Sequence, residues 1–174
     1  LHVRSEAGVE ELLDEYYLAF GPAAPHVKAY FDFWEAHTTA NRLIADDVMR
    51  RNSANNLHTY LRAAHELYPP ESFDHAEAIL NKAREAVRDN ADPLYAQRVD
   101  FLIKGLTHAR MTARLSALFA ENADKERIRK QVEELIAFRR EVEPLCIADF
   151  THAGGHELKS FGDKFDFALQ ATPL

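Results

Sequence analysis

The chain has 174 residues, 47% of them apolar and 28% charged, with 6 Gly and 7 Pro. That length fits one domain with at most a tail and excludes a large multidomain enzyme, and the composition excludes disorder and low complexity. A formal charge of −7 with a sequence pI near 5.7 argues against a general attraction to nucleic acid or anionic membrane, which needs clustered Lys and Arg.

Cys146 is the only cysteine, so neither an internal disulfide nor a thiolate metal cluster is available. No apolar run reaches the ~18 residues of a membrane span. The chain opens at Leu1 with neither the basic nor the apolar region of a signal peptide. It is therefore expected to be a processed or excised piece.

In chain order, Val9, Leu12, Leu13, Tyr16 and Phe20 recur at helical spacing and predict a helix from Gly8 to about Phe20, stopped by Gly21-Pro22. A second helix starts within Pro22–Pro25 and carries Val27, Tyr30, Phe31, Trp34 and Thr38. Between Thr39 and Asn56 only a short helix around Leu43–Met49 is expected, before the loop-like 52–56 segment. Leu57 to Tyr68 reads as helical until Pro69-Pro70 ends it. Ser72 or Asp74 should cap a helix from His75 to Arg88, with Ala76, Ile79, Leu80, Ala83 and Val87 inward.

Asp92-Pro93 is the clearest start signal, opening a helix expected to run to about Glu121. Its positions Tyr95, Val99, Leu102, Leu106, Ala109 and Ala113 form a seam of period 3.5. Gly105 within it suggests close approach of a neighbouring backbone. Asp124 caps a further helix to about Val142, with Ile128, Val132, Leu135, Ile136 and Val142 inward. Asp149–His156 reads as a loop, followed by a tail with Leu158, Phe161, Phe165, Phe167 and Leu169, or a strand around Lys164–Leu169.

The expected fold class is therefore all-α: a bundle of six helices, with a short seventh as an option, over 1–145, and a loop and tail packed on it over 146–174.

No catalytic signature stands out. His152, His156, Glu157 and Asp149 supply metal-ligand types, but a Gly-Gly loop lacks the rigid one-turn spacing of a zinc-protease motif, and a packed polar loop is the plainer reading. His58, Arg62 and His65 share one predicted helix face, and His108 lies midway along the long helix. Without a placed nucleophile or orienting carboxylate they read as surface or capping residues. Asp46-Asp47 could belong to a glycosidase-type acid pair, but adjacent acids are common at helix starts. The aromatic set Tyr16, Tyr17, Phe20, Tyr30, Phe31, Phe33 and Trp34 reads mainly as core; its functional reading is a face that covers another domain or stacks on a sugar ring.

The run Leu-Leu-Asp-Glu-Tyr-Tyr-Leu-Ala-Phe-Gly-Pro-Ala-Ala-Pro over 12–25, followed by Tyr30-Phe31-Asp32, resembles the opening of the helical C-terminal region of large bacterial glycoside-hydrolase-like proteins related to the alpha-glucuronidases. Ala76-Glu77-x-Ile79-Leu80-x-Lys82-Ala83 and Arg98-Val99-x-Phe101-Leu102, with Gly105-Leu106 beyond, extend the resemblance to about Leu118. It implies an accessory domain that braces an upstream (β/α)8 barrel absent from this chain, with the catalytic carboxylates on that barrel. No catalytic, cofactor-binding or metal-binding residue is therefore assigned here. The partners implied are the upstream barrel domain and, left open, a saccharide or a second copy of the chain, in a secreted or periplasmic setting. The alternatives are a stand-alone helical interaction module, which would use the 3.5-period seam for a partner helix, and a small metal-dependent enzyme built on His152 and His156.

Overall fold

The structure is a computed structural model and describes residues 8–56 and 58–162. Every regular element among these residues is helical. The eight α-helices are α1 (Val9–Leu18), α2 (Ala24–Asn41), α3 (Ala45–Arg51), α4 (Ala64–Leu67), α5 (Pro70–Val87), α6 (Pro93–Ala120), α7 (Lys125–Val142) and α8 (Phe150–Phe161), joined in places by short 3-10 turns. The all-α expectation holds, while the count exceeds the six or seven helices read from sequence. With α3 as the optional short seventh, the added helix is α8.

The 28 residues of α6 extend about 40 Å and form the spine of the bundle. Asp92 starts it as anticipated, its carboxylate accepting from the Leu94 amide at 2.9 Å with proline in the next position. Asp124 does the same for α7 through the Arg127 amide. Against α6 pack α5 and α7, and α2 lies on α5. Three apolar clusters follow α6 along its length. Phe20, Ala23, Val27, Ala83 and Val87 surround Val99; Tyr30, Phe73, Ala76 and Leu80 surround Leu106 and Ala113; Ile128, Val132 and Leu135 meet Leu115, Leu118 and Phe119.

Four sequence expectations need correction. The helix expected from His75 starts instead at Pro70, because Pro69 is extended and Pro70 fits the first helical position; Ser72, named as a cap, lies inside the first turn and its hydroxyl donates to the Pro69 carbonyl. The Leu57–Tyr68 helix is broken into a 3-10 turn (Tyr60–Ala63) and the single turn α4, and Leu57 itself lies outside the described residues. Gly105 faces no nearby backbone: a Cβ there would find only the Ile147 side chain, at 3.8 Å. The 146–174 segment is not simply loop and tail, since Phe150–Phe161 is helical; the expected tail and strand over 163–174 lie outside the described residues.

The Gly21 turn is a steric necessity. Its φ is +53°, and a Cβ there would come within 2.7 Å of the Tyr95 ring, so the α1–α2 connection closes directly on the start of α6.

Candidate functional site

Between α2, α6, the Tyr60–Ala63 turn and α8 lies a cavity of about 700 Å3. Its origin is readable in side-chain size. On α6, Gly105, Ala109 and Ala113 line it with small groups, and Ala64 and Ala153 are further small residues of the lining. One part of its wall is aromatic, formed by Tyr30, Trp34, Tyr68 and Phe73, while Tyr60 lies beside His156 with ring centroids 6.2 Å apart. Another part is polar, formed by His108, Arg139, His152, His156 and Glu157.

The polar end is built around an ion pair that closes α8 onto α7. Arg139 and Glu157 are only 8% and 1% exposed, and the guanidinium grips both carboxylate oxygens, with Nη1 donating to Oε2 at 2.9 Å and Nη2 to Oε1. Arg139 Nε donates to His108 Nε2 at 3.0 Å. A guanidinium N–H can only donate, so His108 Nε2 must accept, which places the imidazole proton on Nδ1. Burial, and then the adjacent Arg139 charge, lower the His108 pKa from 6.5 to about 4.

This shift sets a pH dependence. The unfolded chain takes up the His108 proton near pH 6.5, whereas the fold resists it until about pH 4, so the unfolded state holds more protons across that window. The contribution is complete above pH 6.5 and is lost progressively as pH falls towards 4. With part of the ring still open to solvent, we expect a loss of about 1–2 kcal/mol, seen as a falling urea midpoint. His108→Gln, whose amide oxygen can still accept from Arg139, should flatten that slope between pH 6.5 and 4; an unchanged slope would locate the effect elsewhere.

A second group of rings sits at the α8 side. His152 and His156 are one turn apart on α8, not on a loop, and their Nε2 atoms approach to 2.9 Å. Asp149 makes this possible by capping α8, its carboxylate accepting from the His152 amide at 2.9 Å. Gly154 and Gly155 each cost a helix interior up to about 1 kcal/mol, and the Glu157 ion pair and the contacts of Ser160 offset that cost. Ser160 Oγ donates to the His58 carbonyl at 3.0 Å, while Arg62 Nε donates to the Ser160 carbonyl. His58 stacks on His156 with centroids 5.2 Å apart, and the Lys159 charge is the first cause that lowers its pKa.

An N···N contact between two imidazoles needs one ring to donate and the other to accept, so the pair shares a single hydrogen. His156 Nδ1 is buried and has no hydrogen-bond partner among the described residues. The pair offers two nitrogens to a metal ion, and among the described residues no group of three or more His, Cys, Asp or Glu is placed to hold one.

The remaining candidates are spread out. His65 turns from His58 and Arg62 to α6, where its backbone and ring nitrogens meet the Ser116 hydroxyl. Asp46 and Asp47 lie in the first turn of α3, and Asp47 pairs with Arg50 and Arg51. Phe20 and Tyr30 are core, as expected for most of the aromatics, but Trp34 serves the cavity and Tyr16 is 43% exposed. The Arg139–Glu157 pair was missed by sequence reading. Its signal was present: Arg139 continues the buried α7 stripe of Ile128, Val132 and Leu135 towards Val142, and a charge on an apolar stripe needs a buried partner.

No helix among the described residues is long and apolar enough to cross a membrane. Compared with protein-family models, with curated proteins and with solved structures, the chain has no match in any of the three.

Proposed function

We propose that the chain is a non-catalytic helical domain of a carbohydrate-active, glycoside-hydrolase-like protein, in which it braces a barrel domain. The observation that carries this reading is α1. Val9, Leu12, Leu13 and Tyr16 form a regular apolar stripe, yet none of the helix is buried, and Val9 and Leu12 are 74% and 52% exposed. A surface helix normally turns such a stripe inward, so an uncovered one marks a face that another body covers. Among the described residues the buried acid, Glu157, is committed to Arg139, which suits a supporting role.

The stand-alone interaction module is less favoured. Its seam on α6 is already used within the chain, where Val99 meets Phe20 and Ala83. The metal-dependent enzyme rests on two nitrogens without a third ligand beside them.

The test is association of the isolated chain. Sedimentation velocity should show concentration-dependent dimers, and Val9→Glu with Leu12→Glu should return the chain to monomer with an unchanged helical circular-dichroism spectrum. A wild-type chain that stays strictly monomeric at about 100 μM, where an exposed apolar face should associate, would count against the bracing role.

A further inference from the structure

We propose that His152 and His156 chelate one divalent ion of the Cu2+ or Ni2+ class, which staples the turn of α8 that contains Gly154 and Gly155. The two rings are rooted one turn apart on the same face of α8. Their Nε2 atoms are 2.9 Å apart and their ring centres 4.6 Å apart. An in-line N–H···N bond of that length would hold the ring centres about 5.2 Å apart, so the two rings are bent out of line. Imidazoles that converge at a right angle on an ion about 2.0–2.1 Å from each nitrogen stand about 2.9 Å apart at the nitrogens and about 4.5 Å apart at the centres. The pair matches both spacings. Tetrahedral ligation would need about 3.3 Å and about 5.2 Å, so the geometry favours a tetragonal ion over Zn2+.

The surroundings fit a structural ion rather than a catalytic centre. His152 is exposed and His156 half-buried, so an ion reaches the pair from solvent. His58 stacks on the His156 ring and steadies its plane. Among the described residues no third His, Cys, Asp or Glu is placed to join the pair, and Lys159 brings a positive charge near His58. Water therefore completes the coordination and the affinity is micromolar. His156 Nδ1 lacks a partner among the described residues whether or not Nε2 holds an ion, so chelation creates no new orphan. Two adjacent glycines weaken the helix, and the histidines flank them at positions 152 and 156, so one ion bridging these side chains closes that turn. The site is separate from the α1 face, so it stands or falls independently of the bracing role.

The purified chain is titrated with CuCl2, NiCl2 and ZnCl2 while the imidazole signals are followed by NMR. About a tenth of an equivalent of Cu2+ should broaden the His152 and His156 signals ahead of those of His26, His37, His65, His75 and His108. The pair should hold Cu2+ with a dissociation constant of about 1–50 μM and Ni2+ about tenfold more weakly, with Zn2+ no tighter than Ni2+. His152→Ala puts a strong helix former at an exposed position, so the fold is kept while Cu2+ binding at the pair weakens by about tenfold or more. His58→Ala removes a stacked ring but no ligand and should change that affinity by less than about threefold. With about 1 mM NiCl2, hydrogen exchange read by mass spectrometry should slow about tenfold in the peptide spanning 150–161, and not at all in His152→Ala. Undiminished broadening of His156 in His152→Ala, first broadening at the other histidines, or tightest binding by Zn2+ overturns the site. Unchanged exchange in α8 with the pair occupied overturns the staple.

Discussion

Replacing Glu157 by alanine should destabilise the fold by about 3–5 kcal/mol, the cost of leaving a buried charge without its partner. Among the described residues Arg139 would keep only the neutral His108 nitrogen as an acceptor, in a place where 8% of its surface reaches solvent. For a chain of this size the loss corresponds to a fall in melting temperature of roughly 10 °C. The reciprocal test is the double variant Arg139→Met with Glu157→Leu, which removes both charges and keeps the volume. It should recover most of the loss, since apolar replacement of a whole buried pair is often neutral. Urea denaturation of the single and double variants measures both effects. A Glu157→Ala cost below about 1 kcal/mol would show that water reaches the guanidinium and that the pair does not close α8 onto α7.

The second large effect is expected at Leu80→Ala, at about 2–5 kcal/mol. Leu80 is fully buried on α5 in the cluster with Tyr30, Phe73, Ala76 and Leu106. Its neighbours one turn away on the same helix face are already alanines, Ala76 and Ala83, both without exposed surface. They cannot reach into the space left behind, so little of the cavity would be recovered by relaxation. Phe101→Ala on α6 is the control: Phe101 is 42% exposed and should cost less than about 1 kcal/mol. Equal losses at the two positions would mean that α5 is not seated between α2 and α6 as described.

The long helices were legible because their signals are local. Asp92-Pro93 and Asp124 each carry a cap and a clean apolar stripe, and both helices run where the sequence places them. The failures arise where tertiary contacts override local preference. Phe150–Phe161 contains Gly154-Gly155 and reads as loop, yet its helix is held by the Arg139–Glu157 pair, 18 residues apart in sequence, and by Ser160 reaching back to His58. The stretch before Pro69 reads as one helix, but the buried Ser116 hydroxyl, donating to the Leu61 carbonyl and accepting from the His65 amide, is part of a 3-10 connection there. The cavity is not legible in the sequence. Gly105 reads there as a point of close approach, yet it borders the space, because whether a small residue brings a neighbour close or leaves a gap depends on what lies opposite.

Of the three apolar clusters strung along α6, two run into each other and the one against α7 stands apart, which bears on how the domain comes apart. The cluster around Val99 and the one around Leu106 are joined through Phe31, Leu102 and Ile103, whereas the cluster around Leu115 shares no residue with either; towards it, continuity passes along the backbone hydrogen bonds of α6. Cooperativity in such a molecule is a property of a rod. The α7 end can loosen while the α2–α5 end stays assembled, to the extent that the middle turns of α6 resist fraying. Those middle turns, around Gly105 and Ala109, are also the ones that border the cavity, so a molecule seated there would stiffen the shaft and make two loosely joined halves unfold as one.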